Sequence, residues 1–147
     1  MVARLIVAEP AASYTTRAYR VVDSSVLAAW LFGEPRCDEA EALMQGWQLA
    51  APVIIDYEIA NIGMSKLRSK LLAAKTVESI LNQYARTGIE KFSPDPCALF
   101  DMAAKYQLTC YDAAYLLLAD QLGASLVTFD TLLGKAALAH FAKTKTG

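Results

Sequence analysis

The sequence contains one histidine, His140. Chemistry that needs two imidazoles is therefore excluded, and His140 reads as a cation near a helix C-terminus or an exposed side chain. Three cysteines, Cys37, Cys97 and Cys110, are odd in number and widely spaced, with no Cys-x-x-Cys. With a single histidine they cannot complete a zinc site, and they read as reduced, mostly buried thiols of a cytosolic protein. No apolar run reaches the ~18 residues of a membrane span. The uncharged stretch 113–119 is short and lies between Asp112 and Asp120. The N-terminus loosely imitates a signal peptide. Its apolar part is only Leu5-Ile6-Val7-Ala8, Glu9-Pro10 interrupts it, and a signal core needs ~7–15 residues, so secretion is not expected. Net charge is −1 and the isoelectric point is about 5.8, which gives no global basic footprint for nucleic acid. No Gly-x-Gly-x-x-Gly or Gly-Lys-Ser/Thr stretch supports a nucleotide-binding loop.

What is present is a hydrophobic chain, 55% apolar over 147 residues, which is enough for one domain with a full core. Its pattern centres on Tyr19-Arg20-Val21-Val22-Asp23, a short strand ending on an acid, with Ser24 or Ser25 placed to cap the helix that follows. Further helices are expected over residues 39–49, 57–72, 75–87, 96–106, 110–122 and 132–142. Strands are expected over residues 51–55, 89–92 and 125–129, with Asp56 capping the helix after the first of these. Residues 1–18 read as an irregular or strand-like arm and residues 19–147 as the domain. Strands alternating with helices imply a parallel sheet with helices on both faces. In such sheets, residues just past different strands converge beyond the carboxyl edge.

Four acids fall at that edge. Asp23 and Asp130 follow strands directly, while Glu58 and Asp112 lie in first turns of helices. Each has a bland alternative as a cap or a partner of the helix dipole. Together they make a different case. Carboxylates crowded together raise one another's pKa, and a divalent cation removes that conflict. An all-oxygen donor set favours Mg²⁺ or Mn²⁺ over Zn²⁺.

The local contexts occur in a specific order: Val-Val-Asp23-Ser-Ser-Val-Leu, Tyr57-Glu58-Ile-Ala-Asn61, Tyr111-Asp112-Ala-Ala-Tyr115 and Thr128-Phe-Asp130. This ordered set resembles the PIN-domain family, most closely the toxin ribonucleases of virulence-associated-protein-C (VapC) type, over about residues 20–143. The resemblance implies a three-layer α/β/α fold with a central parallel sheet. It implies Mg²⁺- or Mn²⁺-dependent cleavage of RNA, with Asp23, Glu58, Asp112 and Asp130 as the metal and catalytic residues and Asp23 and Asp112 as direct ligands. Asn61 and Thr128 would fix carboxylate orientation, and Tyr111 and Tyr115 read as core or pocket wall. Arg17, Arg20, Lys66, Arg68, Lys70 and Lys75 are the candidate RNA contacts. A cognate antitoxin, a homodimer and a cytoplasmic location are also implied, with no membrane association. Trp30, Met44 and Trp47, and Ile62, Met64 and Leu67, are candidate docking faces for the antitoxin, although core packing is the commoner role for most such residues. A DNA-directed nuclease and a PIN-like module without catalysis are the alternatives. A haloacid-dehalogenase-like phosphatase would need an acid where Ser25 stands, and a receiver domain would need an N-terminal acidic pair and a late Lys after a strand.

Overall fold

The computed structural model describes residues 6–9 and 19–144; most of the arm, Arg17 included, lies outside the described residues. The elements are β1 (Ile6–Ala8), β2 (Tyr19–Val22), α1 (Ser24–Leu31), α2 (Cys37–Met44), β3 (Gln48–Pro52) and α3 (Ile54–Arg68). They continue with α4 (Ala74–Ala85), β4 (Glu90–Phe92), α5 (Pro96–Tyr106), α6 (Cys110–Leu122), β5 (Ser125–Thr128) and α7 (Thr131–Lys143). The strands form one sheet in the order β1-β5-β2-β3-β4. The helices pack on it to give the expected three layers.

The sheet is parallel from β5 through β2 and β3 to β4, while β1 pairs antiparallel with β5. The expected central parallel sheet thus holds for four strands, and the whole sheet is mixed. An antiparallel partner can join an edge without the crossover that a parallel strand requires, and it covers backbone groups that β5 would otherwise expose. The core runs through the middle strands: Val21, Val22, Ala50, Ala51, Leu126 and Val127 are fully buried. Helix α6 is buried at every position from Ala113 to Ala119, because it packs on β2, β3 and β5 while α5 and α7 flank it. That burial explains the uncharged stretch between Asp112 and Asp120.

Several boundaries differ from the sequence pattern. Helix α2 stops at Met44 rather than continuing to residue 49, because Gly46 turns the chain at φ +82°, a conformation that favours glycine. Strand β3 then begins earlier and ends at Pro52, and Ile54 and Ile55 open α3 instead of extending the strand. Asp56 consequently lies in the first turn of α3 and does not cap it. Its Oδ1 accepts from Tyr84 Oη and Lys91 Nζ, both at 2.6 Å. The thiols also depart from expectation: Cys97 and Cys110 are exposed and Cys37 is half-buried. His140 is neither free nor exposed. It bridges Tyr106 Oη at 2.8 Å and Asp120 Oδ1 at 2.7 Å.

Arg20 needs the clearest correction. It is 8% exposed and sits near the start of β2, away from the acidic edge. Its Nε donates to Ser125 Oγ at 3.0 Å and its Nη1 to the Leu43 carbonyl at 2.9 Å, while the guanidinium stacks 3.8 Å above Trp47. A cation already holding these partners is a structural tie between β2, β5 and α2, not a phosphate contact. The same stacking occupies one face of the half-buried Trp47 ring.

Candidate active site

The site begins with two parallel strands that end side by side. Val22 is registered with Val127, and the Asp23 N–H donates to the Val127 carbonyl at 3.3 Å. Asp23 leaves the strand in an extended conformation and is itself the N-cap of α1, accepting from Val26 N–H at 3.2 Å. The cap is therefore the acid and not Ser24 or Ser25. Ser25 Oγ instead donates to Asp23 Oδ1 at 2.6 Å and accepts from Phe129 N–H at 2.9 Å. Thr128, at the end of β5 and fully buried, donates to Asp23 Oδ2 and accepts from Asp130 N–H at 2.9 Å. Asp23 is 4% exposed, and burial pushes its carboxyl up to about 6. The Ser25 and Thr128 hydroxyls and the Val26 amide oppose that rise, and the charge of Asp130 adds to it.

Asp130 caps α7, accepting from Leu132 N–H at 2.9 Å and Leu133 N–H at 3.1 Å. Asp112 lies in the first turn of α6, where Thr109 Oγ1 caps its amide at 3.1 Å. Burial raises the pKa of Asp112, and Asp130 raises it further. Glu58, on the second turn of α3, accepts from Tyr115 Oη at 2.5 Å and from Ser24 Oγ at 3.3 Å. Its pKa is raised by burial and by Asp112, against the pull of the two hydroxyls. The charges thus act in sequence: Glu58 feels Asp112, Asp112 feels Asp130, and Asp130 acts on Asp23. Four acids from distant parts of the chain share one edge of the sheet.

Ser24, Ser25 and Tyr115 are the residues that sequence reasoning placed elsewhere. The serines read as caps, yet both serve acids. Tyr115 reads as core or pocket wall and is buried, but its hydroxyl reaches Glu58. The available signal was its position one turn after Asp112 on the same helix face. Asn61 is exposed, and among the described residues no hydrogen bond joins it to an acid.

The candidate cations lie at the other end of α3. Lys66 is about 12 Å along the helix from Glu58 and pairs with Glu34 at 3.4 Å. Arg68, Lys70 and Lys75 are exposed. Tyr57 and Tyr111, each next in sequence to an acid, are 69% and 63% exposed. With Val53, Leu99 and Cys110 they line an apolar cleft of about 230 Å³.

Among the described residues, no three acidic, histidine or cysteine side chains converge closely enough to ligate one ion directly. Oxygens of Asp23, Glu58 and Asp130 are engaged with hydroxyls or backbone amides instead. The donor set still fits a hard cation that keeps several waters, because Mg²⁺ is usually held by one or two carboxylates with the rest of its shell hydrated. Burial chiefly, and neighbouring carboxylates to a lesser degree, raise the pKa values of Asp23, Glu58 and Asp112, and a bound cation would oppose both effects.

The family model for the PIN domain matches residues 20–138, which is most of the sequence. The chain belongs to the PIN-domain family. Among characterised relatives, this PIN domain is 32% identical over 120 residues to Ribonuclease VapC3 of Pyrobaculum aerophilum, covering 78% of this chain and 92% of that protein. Among solved structures it is similar to the crystal structure of PAE2754 from the same organism. The TM-score is 0.58 and the identity 21%, with 86% of this chain and 90% of the other covered. That likeness concerns the fold.

Proposed function

We propose that this PIN domain is a divalent-metal-dependent endoribonuclease of VapC type, acting as the toxin of a type II toxin–antitoxin pair. The observation that carries the reading is the linked set of Asp23, Glu58, Asp112 and Asp130, three of them with raised pKa values. Similarity to a protein named as a ribonuclease supports the substrate class.

Asp23 and Asp112 would hold Mg²⁺ or Mn²⁺, with Glu58 and Asp130 completing the anionic rim around its waters. When bound, the ion supplies Lewis acidity at a phosphoryl oxygen and lowers the pKa of a coordinated water. The chain supplies orientation. Ser25 and Thr128 fix both oxygens of Asp23, while Tyr115 and Ser24 fix Glu58. Glu58, with its pKa raised by burial, is suited to take a proton from the attacking water. Asn61 would act only after its amide turns toward Glu58. Arg68, Lys70 and Lys75, exposed beyond the cup, are offered to RNA phosphates, and Lys66 would join them by leaving Glu34.

Partner surfaces support the same reading. A groove of about 250 Å³ lined by Leu27, Trp30, Met44 and Leu49 is suited to an apolar antitoxin helix. Met64 is 42% exposed, while Ile62 and Leu67 are half-buried. The exposed rim of Tyr57, Phe100 and Tyr111 is the surface an expected homodimer would bury. No helix among the described residues is long and apolar enough to cross a membrane.

The test is cleavage of a mixed RNA pool with Mn²⁺, by wild type and by Asp112→Asn, alongside growth during expression. Cleavage and growth arrest by wild type alone are expected. Normal growth with soluble, folded wild type would sink the toxin role. Equal cleavage by the variant would sink the site, and a preference for DNA would redirect the substrate.

A further inference from the structure

Strand β1 lies outside the span that the family model matches, yet it meets two elements of the acidic site. Antiparallel pairing sets Ile6 opposite Thr128 at the acidic edge and Ala8 opposite Leu126 further down. Glu9 then reaches Arg20 at 3.7 Å, tying the strand's other end to β2. Thr128 is the residue whose hydroxyl holds Asp23 and receives the Asp130 amide.

Ile6 also seats on α7. A Cβ at Gly134 would stand 2.2 Å from Ile6 Cδ1 and 2.8 Å from its Cβ and Cγ2. Glycine inside a helix is unfavourable relative to alanine, and Gly134 has no positive φ to require it. The close approach of Ile6 is the physical reason for it. The Gly134 amide in turn donates to the Asp130 carbonyl at 3.0 Å, in the first turn of α7. Ile6 therefore meets the end of β5 through its backbone pairing and, through its side chain, the turn that presents Asp130.

We propose that Ile6, seated on Gly134, is a positioning residue of the acidic site. Strand β1 clamps the end of β5 to the start of α7, and this fixes Asp130 directly and Asp23 through Thr128. The consequence for catalysis rests on the nuclease reading above; the clamp itself does not.

The experiment compares Gly134→Ala, Ile6→Gly and the double variant. It reads amide hydrogen exchange, calorimetric Mn²⁺ binding, and the Mn²⁺ dependence of RNA cleavage. Gly134→Ala pushes Ile6 away while improving the helix. Exchange at Asp130, Leu132 and Leu133 is expected to quicken, with the amides of α4 unchanged. The Mn²⁺ concentration for half-maximal binding and cleavage is expected to rise about tenfold, the scale seen when partners that orient a ligand are lost. The RNA KM is expected to hold within about twofold, since no RNA contact is touched. With Ile6 already reduced to glycine, adding Gly134→Ala should change little further, because the two residues share one contact. Unchanged exchange at those three amides overturns the clamp. So does quickened exchange with an unaltered Mn²⁺ requirement, or full additivity of the two substitutions. Wild type that binds Mn²⁺ but cleaves no RNA sinks the nuclease reading alone, and the exchange and binding arms still decide the clamp.

Discussion

Asp23→Asn is expected to stabilise the metal-free protein at neutral pH while abolishing cleavage. The carboxyl is 4% exposed and its pKa is pushed from 3.8 to about 6, chiefly by burial. A rise of about two units is worth about 3 kcal/mol between the protonated and ionised forms. The folded chain holds this proton more tightly than the unfolded chain. The stability that goes with it is fully present below about pH 4, falls as pH rises through about 6, and is absent at pH 8. Asparagine carries no charge and escapes that loss. Its amide oxygen can still accept from Ser25 and Val26, but its nitrogen cannot accept from Thr128, which costs about 1 kcal/mol. The net gain at pH 8 in chelator is about 2 kcal/mol, or roughly 6 °C in Tm for a chain of this size. Thermal unfolding from pH 4 to 8.5, with chelator and with Mn²⁺, measures it. The gain should shrink as pH falls and become a deficit of up to about 1 kcal/mol below about pH 4, where only the lost hydrogen bond remains. Mn²⁺ should raise the Tm of wild type more than that of the variant. A variant less stable than wild type at pH 8 in chelator, or an increment independent of pH, would refute the burial argument.

The other predictions concern the residues around the acids and the corrected Arg20. Thr128→Val keeps the shape of a fully buried side chain but removes a hydroxyl bonded to both Asp23 and the Asp130 amide. A loss of about 10–100-fold in Mn²⁺ affinity, read by titration, is expected. Tyr115→Phe removes a donor that holds the Glu58 pKa down, so the acidic limb of the pH–rate profile should move to higher pH; an unmoved limb would place the controlling proton elsewhere. Arg20→Ala breaks two hydrogen bonds and the Trp47 stack, so it should destabilise by about 3 kcal/mol in denaturant unfolding. The salt dependence of RNA binding should stay unchanged in that variant. In Lys70→Ala the slope should shallow by about one phosphate contact.

Much of the site was legible because its logic is periodic and local. An acid directly after an apolar run, as at Asp23 and Asp130, marks the carboxyl edge of a parallel strand, and the alternation of elements says that such edges align. Asp112 lies in the first turn of α6 as its pattern predicts, whereas Glu58 falls in the second turn of α3 because that helix begins at Ile54, earlier than its pattern predicts. The buried face of α6 was visible in the absence of charge between Asp112 and Asp120. Arg20 was not legible in the same way. A charged residue in a short strand reads as surface, and only Leu43, Trp47 and Ser125 arriving from other elements show otherwise.

The linear chain by itself determined the alternation of strand and helix, the order of the four acids and the hard, all-oxygen character of the donor set. These follow from residue type and spacing, which need no partners at long range. Tertiary structure decided which hydroxyl serves which carboxylate, that β1 runs antiparallel along β5, and why Gly134 stands inside α7. Apart from Ser25 on Asp23, each of those is a contact between residues about 30 to 130 positions apart, and hydrophobic periodicity carries no information about such pairings.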